Sequence, residues 1–147
     1  GEKPLGMVLF ALDIDDGWPP VSSEGVWCER VNGHYKLANT PFFISGLAYG
    51  DVFQAEPDAT NGHIFEFTVL EHSGHSVVWV LNNSDIDISE CLEEAKALGC
   101  KVEGFEQFSL YSLDVPPEID LSAFDRLIDH YDRKGIAFAF PAGRHGN

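Results

Sequence analysis

The sequence predicts an α+β fold: an N-terminal antiparallel β-rich, barrel-like half packed with a C-terminal ferredoxin-like βαββαβ unit. Three observations predict it. Short apolar stretches broken by Gly, Pro and Asn fill the first half. Segments with helical apolar spacing and clear end signals occur only in the second half. From Ser76 onward the order reads strand–helix–strand–strand–helix–strand, the split βαβ pattern. A chain of 147 residues fits a single compact domain, with the β-rich half over 7–75 and the βαββαβ half over 76–140.

Taken in order, Leu5–Ile14 is an apolar strand ending in the acidic turn Asp13–Gly17. Glu24–Val31 and His34–Leu37 flank Asn32-Gly33, a dipeptide that supplies two positive-φ residues to a type I′ hairpin turn. Thr40–Ser45 and Asp51–Ala55 read as short strands around a loop marked by Gly46 and Gly50. His63–Glu71 alternates, with Phe65, Phe67 and Val69 on one face. Glu71–Ser76 reads as a hairpin turn leading into the strand Ser76–Leu81. A helix follows over about Asp87–Leu98, where Asp87 caps and Glu90 completes a capping-box-like pair. Ile88, Cys91, Leu92, Ala95 and Leu98 form its apolar stripe, and Gly99 supplies the left-handed residue that ends it. Lys101–Phe105 and Phe108–Asp114 are strands, the second stopped by Pro116-Pro117. The second helix spans about Leu121–Lys134 with Leu121, Phe124, Leu127, Ile128 and Tyr131 as its stripe, and Ile136–Phe140 closes the pattern as a strand.

Composition narrows the function. Apolar residues make up 44% of the chain against 22% charged, which argues for a packed core and against disorder. Nine Lys and Arg against 24 Asp and Glu leave a net charge of −15. Phosphate contacts and anionic lipids both need Lys or Arg, so neither a nucleic-acid partner nor a membrane surface is expected. The field of such a chain steers a basic protein partner instead. Three Cys without CxxC spacing point to reduced thiols and a cytoplasmic protein rather than to disulfides. No apolar run is long enough to span a membrane, and the sequence is silent on whether Met7, with six residues ahead of it, is the natural start.

Candidate chemistry concentrates in Glu71-His72-Ser73-Gly74-His75-Ser76. Two His three apart can hold a metal, and a Ser beside a His can be a nucleophile, although a plain polar turn explains the same residues. The alternative to a protein-binding function is therefore a small-molecule-binding domain or enzyme, with a pocket near this turn lined by Glu24, Trp27, His72, Ser73 and His75; Trp27 is at the same time a natural core residue. His72 and His75 have no companion ligands, and Asp13–Gly17 fails the calcium-loop template, so no metal and no cofactor are expected. No phosphate loop, nucleophile elbow or zinc-protease helix occurs, so no catalytic residue is assigned and the chain is not read as an enzyme. From Leu37 to Ala95 there is no Lys or Arg, and Asp85, Asp87, Glu90, Glu93 and Glu94 in that stretch are the candidate partner-binding residues.

Trp18-Pro19-Pro20 with Glu24-Gly25-Val26-Trp27, Asn39-Thr40-Pro41-Phe42-Phe43, Gly46-Leu47-Ala48-Tyr49-Gly50-Asp51-Val52, Glu71–Ser76 and Leu98-Gly99-Cys100 resemble a bacterial family, domain of unknown function 4265. The likeness runs from about Trp18 to Phe140. The resemblance implies no activity and assigns no residue. By analogy with small acidic members of such families, the expectation is an immunity protein that occludes a cognate, basic bacterial toxin domain. The sequence is silent on its oligomeric state.

Overall fold

Strand alternation decides which side chains build the first core. Along β1 (Leu5–Ala11) and β2 (Ser23–Val31), Phe10, Val26 and Cys28 are buried, while Met7, Leu9 and Trp27 point outward. With β3 (His34–Leu37), β4 (Val52–Ala55) and β5 (Phe67–Glu71) these strands form an antiparallel sheet in chain order. Asn32 and Gly33, at φ 52° and 83°, make the β2–β3 turn as their residue types predict. Phe53 is fully buried at the centre, stacked 5.3 Å from Tyr35 and edge-on to Phe67. A computed structural model describes residues 5–145; the stretch ahead of Met7 is covered only from Leu5, so Gly1–Pro4 lie outside the described residues. The chain divides into two compact units, Gly1–Ser73 and Gly74–Asn147.

Three expectations for the first unit are corrected. The sheet is not a closed barrel: among the described residues, β1 meets on the side opposite β2 only a single bridge, Phe10 to Ile64. Thr40–Ser45 is not a strand, because the N–H groups of Phe42 and Phe43 donate to the Glu24 carboxylate instead of to a ladder. Phe65 does not join the Phe67 and Val69 face; pairing of β5 begins at Phe67, and Phe65 is left 62% exposed.

The second unit begins with β6 (Ser76–Leu81) and α1 (Ser89–Ala97), then β7 (Lys101–Phe105), a 3-10 turn at Glu106–Phe108 and β8 (Leu110–Val115). It continues through α2 (Leu121–Asp132) to β9 (Ala137–Ala142). The four strands form an antiparallel sheet in the order β7-β8-β6-β9. Val78, Val80, Leu113 and Val115 pack with Cys91 and Ala95 of α1 and with Phe124, Leu127 and Tyr131 of α2. Gly99, at φ 113°, ends α1 in the left-handed region, as its place after the stripe predicts. The start of α1 departs from the capping-box expectation: Ile88 is the cap residue, and Asp87 accepts the Ser89 N–H at 2.9 Å. Asp120 does cap α2, accepting from Ala123 N–H. The architecture is thus α+β, with two helices and two antiparallel sheets. Among the described residues no helix is long and apolar enough to cross a membrane.

Candidate functional site

Glu71–Ser76 is not a hairpin turn. Strands β5 and β6, on either side of it, belong to different sheets, so the segment is a connector. Each of its candidate residues has its own place. Ser73 donates its hydroxyl to the Tyr49 carbonyl at 2.6 Å and its N–H to the Asp51 carboxylate at 2.9 Å. Asp51, fully buried, also accepts the Ala48 N–H, so one carboxylate holds the Gly46–Gly50 loop against the end of the first unit. His72 is exposed. His75 belongs to the second unit, where its Nδ1 lies 2.7 Å from Asp114 Oδ1.

Glu24 and Trp27 complete the expected pocket set. The Glu24 carboxylate takes the Phe42 and Phe43 N–H groups at 2.7 and 2.9 Å, one on each oxygen. Trp27 is not a core residue: its neighbours Val26 and Cys28 face inward and leave its ring 46% exposed. Among the described residues no group of His, Cys, Asp and Glu is arranged to hold a metal ion.

The second unit holds a Ser–His contact that sequence reasoning missed. Ser76 Oγ lies 2.6 Å from His145 Nδ1, and His145 Nε2 lies 2.7 Å from the Pro116 carbonyl. A carbonyl only accepts, so Nε2 carries a proton, and in the neutral ring the Ser76 hydroxyl therefore donates to Nδ1. The same Oγ accepts the Arg144 N–H at 2.7 Å. An imidazole that accepts from a Ser hydroxyl is a nucleophile's geometry. The Arg144 N–H draws on the same lone pairs, however, and Ser76 is only 5% exposed. The two residues lie 69 positions apart and carry no local motif.

Ser76 and His145 line a pocket of about 130 Å³, whose walls also include Leu121, Phe124, Ile128 and Phe140. Asp125, Ile128 and Phe140 also line a neighbouring recess of about 310 Å³ with Asp129, Asp132 and Phe138. On the sheet, burial raises the Asp114 carboxyl above its ordinary range, against the opposing pull of the His75 bond and Lys101. Burial, then the nearby Asp114 charge, raises Glu103 as well. Burial pushes the thiols of Cys28 and Cys100 up to about 12 and that of Cys91 to about 11.

The candidate partner-binding carboxylates are all exposed. Asp85 and Asp87 lie in the loop before α1, where the Ser89 N–H and hydroxyl hold Asp87 below its usual range. Glu90 stands in the first turn of α1, Glu93 pairs with Lys96 at 3.3 Å, and Glu94 accepts the Tyr131 hydroxyl.

The family model for domain of unknown function DUF4265 matches residues 24–138. The chain belongs to that family. Among solved structures, one described as a novel crystal structure of a hypothetical protein from Neisseria gonorrhoeae is similar over 97% of this chain and 96% of that one. The TM-score is 0.73 at 14% identity, a likeness that shows the fold alone. No curated protein matches the chain. Family membership fits the motif order from Trp18 to Phe140 and brings no activity with it.

Proposed function

We propose that this member of the DUF4265 family is a small acidic binding protein, acting in the cytoplasm as an immunity protein that occludes a basic toxin domain. The observation that carries the reading is the one-sided charge. The net charge is −15, and no Lys or Arg stands between Leu37 and Ala95. In that span Asp85, Asp87, Glu90, Glu93 and Glu94 all reach solvent. Such a surface costs self-repulsion in the free protein, and a cationic partner relieves it while gaining a faster encounter. Three free, buried thiols suit a reducing compartment. The test is capture by the immobilised full chain from a lysate of the source bacterium, with each retained protein identified and assayed. The expected result is a basic protein, released by salt, whose toxicity the chain suppresses on co-expression. Retention of no basic protein, or undiminished toxicity of the retained one, overturns the proposal.

The Ser76–His145 contact beside an apolar pocket favours a second reading, a small-molecule site near the Glu71–His75 connector. A metabolite released from the purified protein on denaturation, in stoichiometric amount, would replace the first reading with this one. For the second unit we infer a ferredoxin-like arrangement. The strand order β7-β8-β6-β9, with one helix between β6 and β7 and another between β8 and β9, supports it. An experimental structure in which β6 does not lie between β8 and β9 would refute it.

A further inference from the structure

β9 is an edge strand. Among the described residues its only strand partner is β6, so alternate N–H and C=O groups face away from the sheet. Its sequence, Ala-Phe-Ala-Phe-Pro-Ala, carries none of the charges that usually guard such an edge, and its single Pro stands next to last. Phe138 pairs with Val80, a residue of the helix-covered core; the register against β6 then shifts by one residue between Ala139 and Ala142, and Phe140, inside that bulge, lines recesses with Ile128 of α2. Phe140 remains 61% exposed there, beside Ile128 at the junction of the two recesses.

The rim of this groove is acidic on one side only. Asp125, Asp129 and Asp132 of α2 line it with Ile128, Phe138 and Phe140. Arg126 and His130 of the same helix line a different recess, beside Glu94 and Leu98. Arg133 is engaged by Asp129 at 3.1 Å, in an ion pair exposed on both sides, and Lys134 lies over the Tyr131 ring. Asp125 and Asp129 are one helical step of four residues apart, about 6 Å along the axis. Residues i and i+2 of an extended chain are about 6.7 Å apart. The first repeat is close to the second, so two successive same-side residues of an added strand can meet Asp125 and Asp129; Asp132, about 4.5 Å further along the axis, is within reach of a long, flexible side chain.

The geometry points to β9 and α2 as a peptide-docking groove. Its occupant is an extended segment of a partner protein with Lys or Arg at every second position, which adds to the sheet at β9. The alternate basic side chains lay their aliphatic stems over Phe140 and Ile128 and bring their charged ends to Asp125 and Asp132, and to Asp129 in competition with Arg133. Backbone pairing supplies the register, and the carboxylates select the sequence. This inference rests on the reading of the chain as a binder of basic proteins, and it assigns that binding to a surface other than α1.

The test titrates the isotope-labelled full chain with acetyl-(Lys-Thr)4-amide and follows amide resonances. Two further peptides carry N-methyl groups on all Lys or on all Thr, which blocks one strand edge or the other. The expected result is saturable shifts confined to 121–142, lost with one methylated peptide and kept with the other. D125N/D129N/D132N should weaken binding about tenfold, because three rim pairs are removed. The acidic peptide acetyl-(Glu-Thr)4-amide should not bind. Absent shifts at millimolar peptide, shifts centred elsewhere, equal binding of both methylated peptides, or equal binding of the acidic peptide each overturn the inference. If the full chain retains a basic partner that D125N/D129N/D132N and F140A retain equally well, the groove is refuted while the binding function stands. If the peptide binds as expected but no basic protein is captured, the function is refuted and the groove stands.

Discussion

Glu24→Ala is the sharpest probe of how the first unit is held. Each carboxylate oxygen of Glu24 accepts one backbone N–H, from Phe42 and Phe43, at 2.7 and 2.9 Å. Both donors lie in a half-buried loop, and Ile44 just beyond them is part of the core. A hydrogen bond to a charged acceptor is worth about 1.5–3 kcal/mol, and solvent reaching a half-buried loop lowers that figure. Two such bonds therefore contribute about 2–3 kcal/mol. With an unfolding entropy of about 2.1 cal/mol/K per residue, the substitution should lower Tm by about 7–10 °C if all 147 residues unfold together. If the first unit melts alone, the shift roughly doubles. Calorimetry measures the shift, and hydrogen exchange should accelerate first at the amides of Phe42 and Phe43. Glu24→Gln should recover only part of the loss, because its amide presents one acceptor where two are needed. A Tm within about 1 °C of wild type, with those two amides still protected, would refute the clamp.

Tyr131→Phe removes the hydroxyl that α2 donates to Glu94 of α1; since Glu94 is exposed and regains water, chemical denaturation should show a loss of only about 1 kcal/mol. Native protein should react very slowly with a thiol reagent at pH 8, because all three Cys are buried with thiols pushed up to about 11–12; a rate like that of free cysteine would contradict this. For Asp114 the folded carboxyl binds its proton more tightly than the unfolded one, as burial raises it above 3.8. Its contribution to stability is therefore fullest below the ordinary aspartate range and declines as pH rises through the raised value. The stability advantage of wild type over Asp114→Asn, measured by urea unfolding across that range, should shrink with rising pH; an advantage that grows would contradict the sign.

Features specified by neighbours in sequence were legible, and features specified at a distance were not. Asn32-Gly33 and the α1 stripe ending at Gly99 each act within a few residues, and each stands where its residue types place it. Thr40–Ser45 reads as a strand because Phe42, Phe43 and Ile44 are apolar; what removes it from the sheet is a carboxylate 18 positions earlier. Trp27 reads as core by size, yet the alternation set by Val26 and Cys28 turns it outward. The acidic surplus was plain in the composition, whereas the division of α2 into a carboxylate side facing β9 and a basic side facing α1 appears only once the helix is placed. Ser76, His145 and the Pro116 carbonyl meet through tertiary packing alone.

The central claim, that a one-sided acidic surface draws in a basic protein partner, is tested most directly by the association rate of the captured partner at low and at physiological salt. At physiological strength the Debye length is about 8 Å, short enough to screen exposed carboxylates that act over longer distances. The account predicts an on-rate that falls steeply between the two conditions while the off-rate changes less. It also predicts that neutralising Glu90, Glu93 and Glu94 to Gln, or Asp125, Asp129 and Asp132 to Asn, reduces the low-salt rate. An on-rate that is the same at both salt concentrations would contradict it.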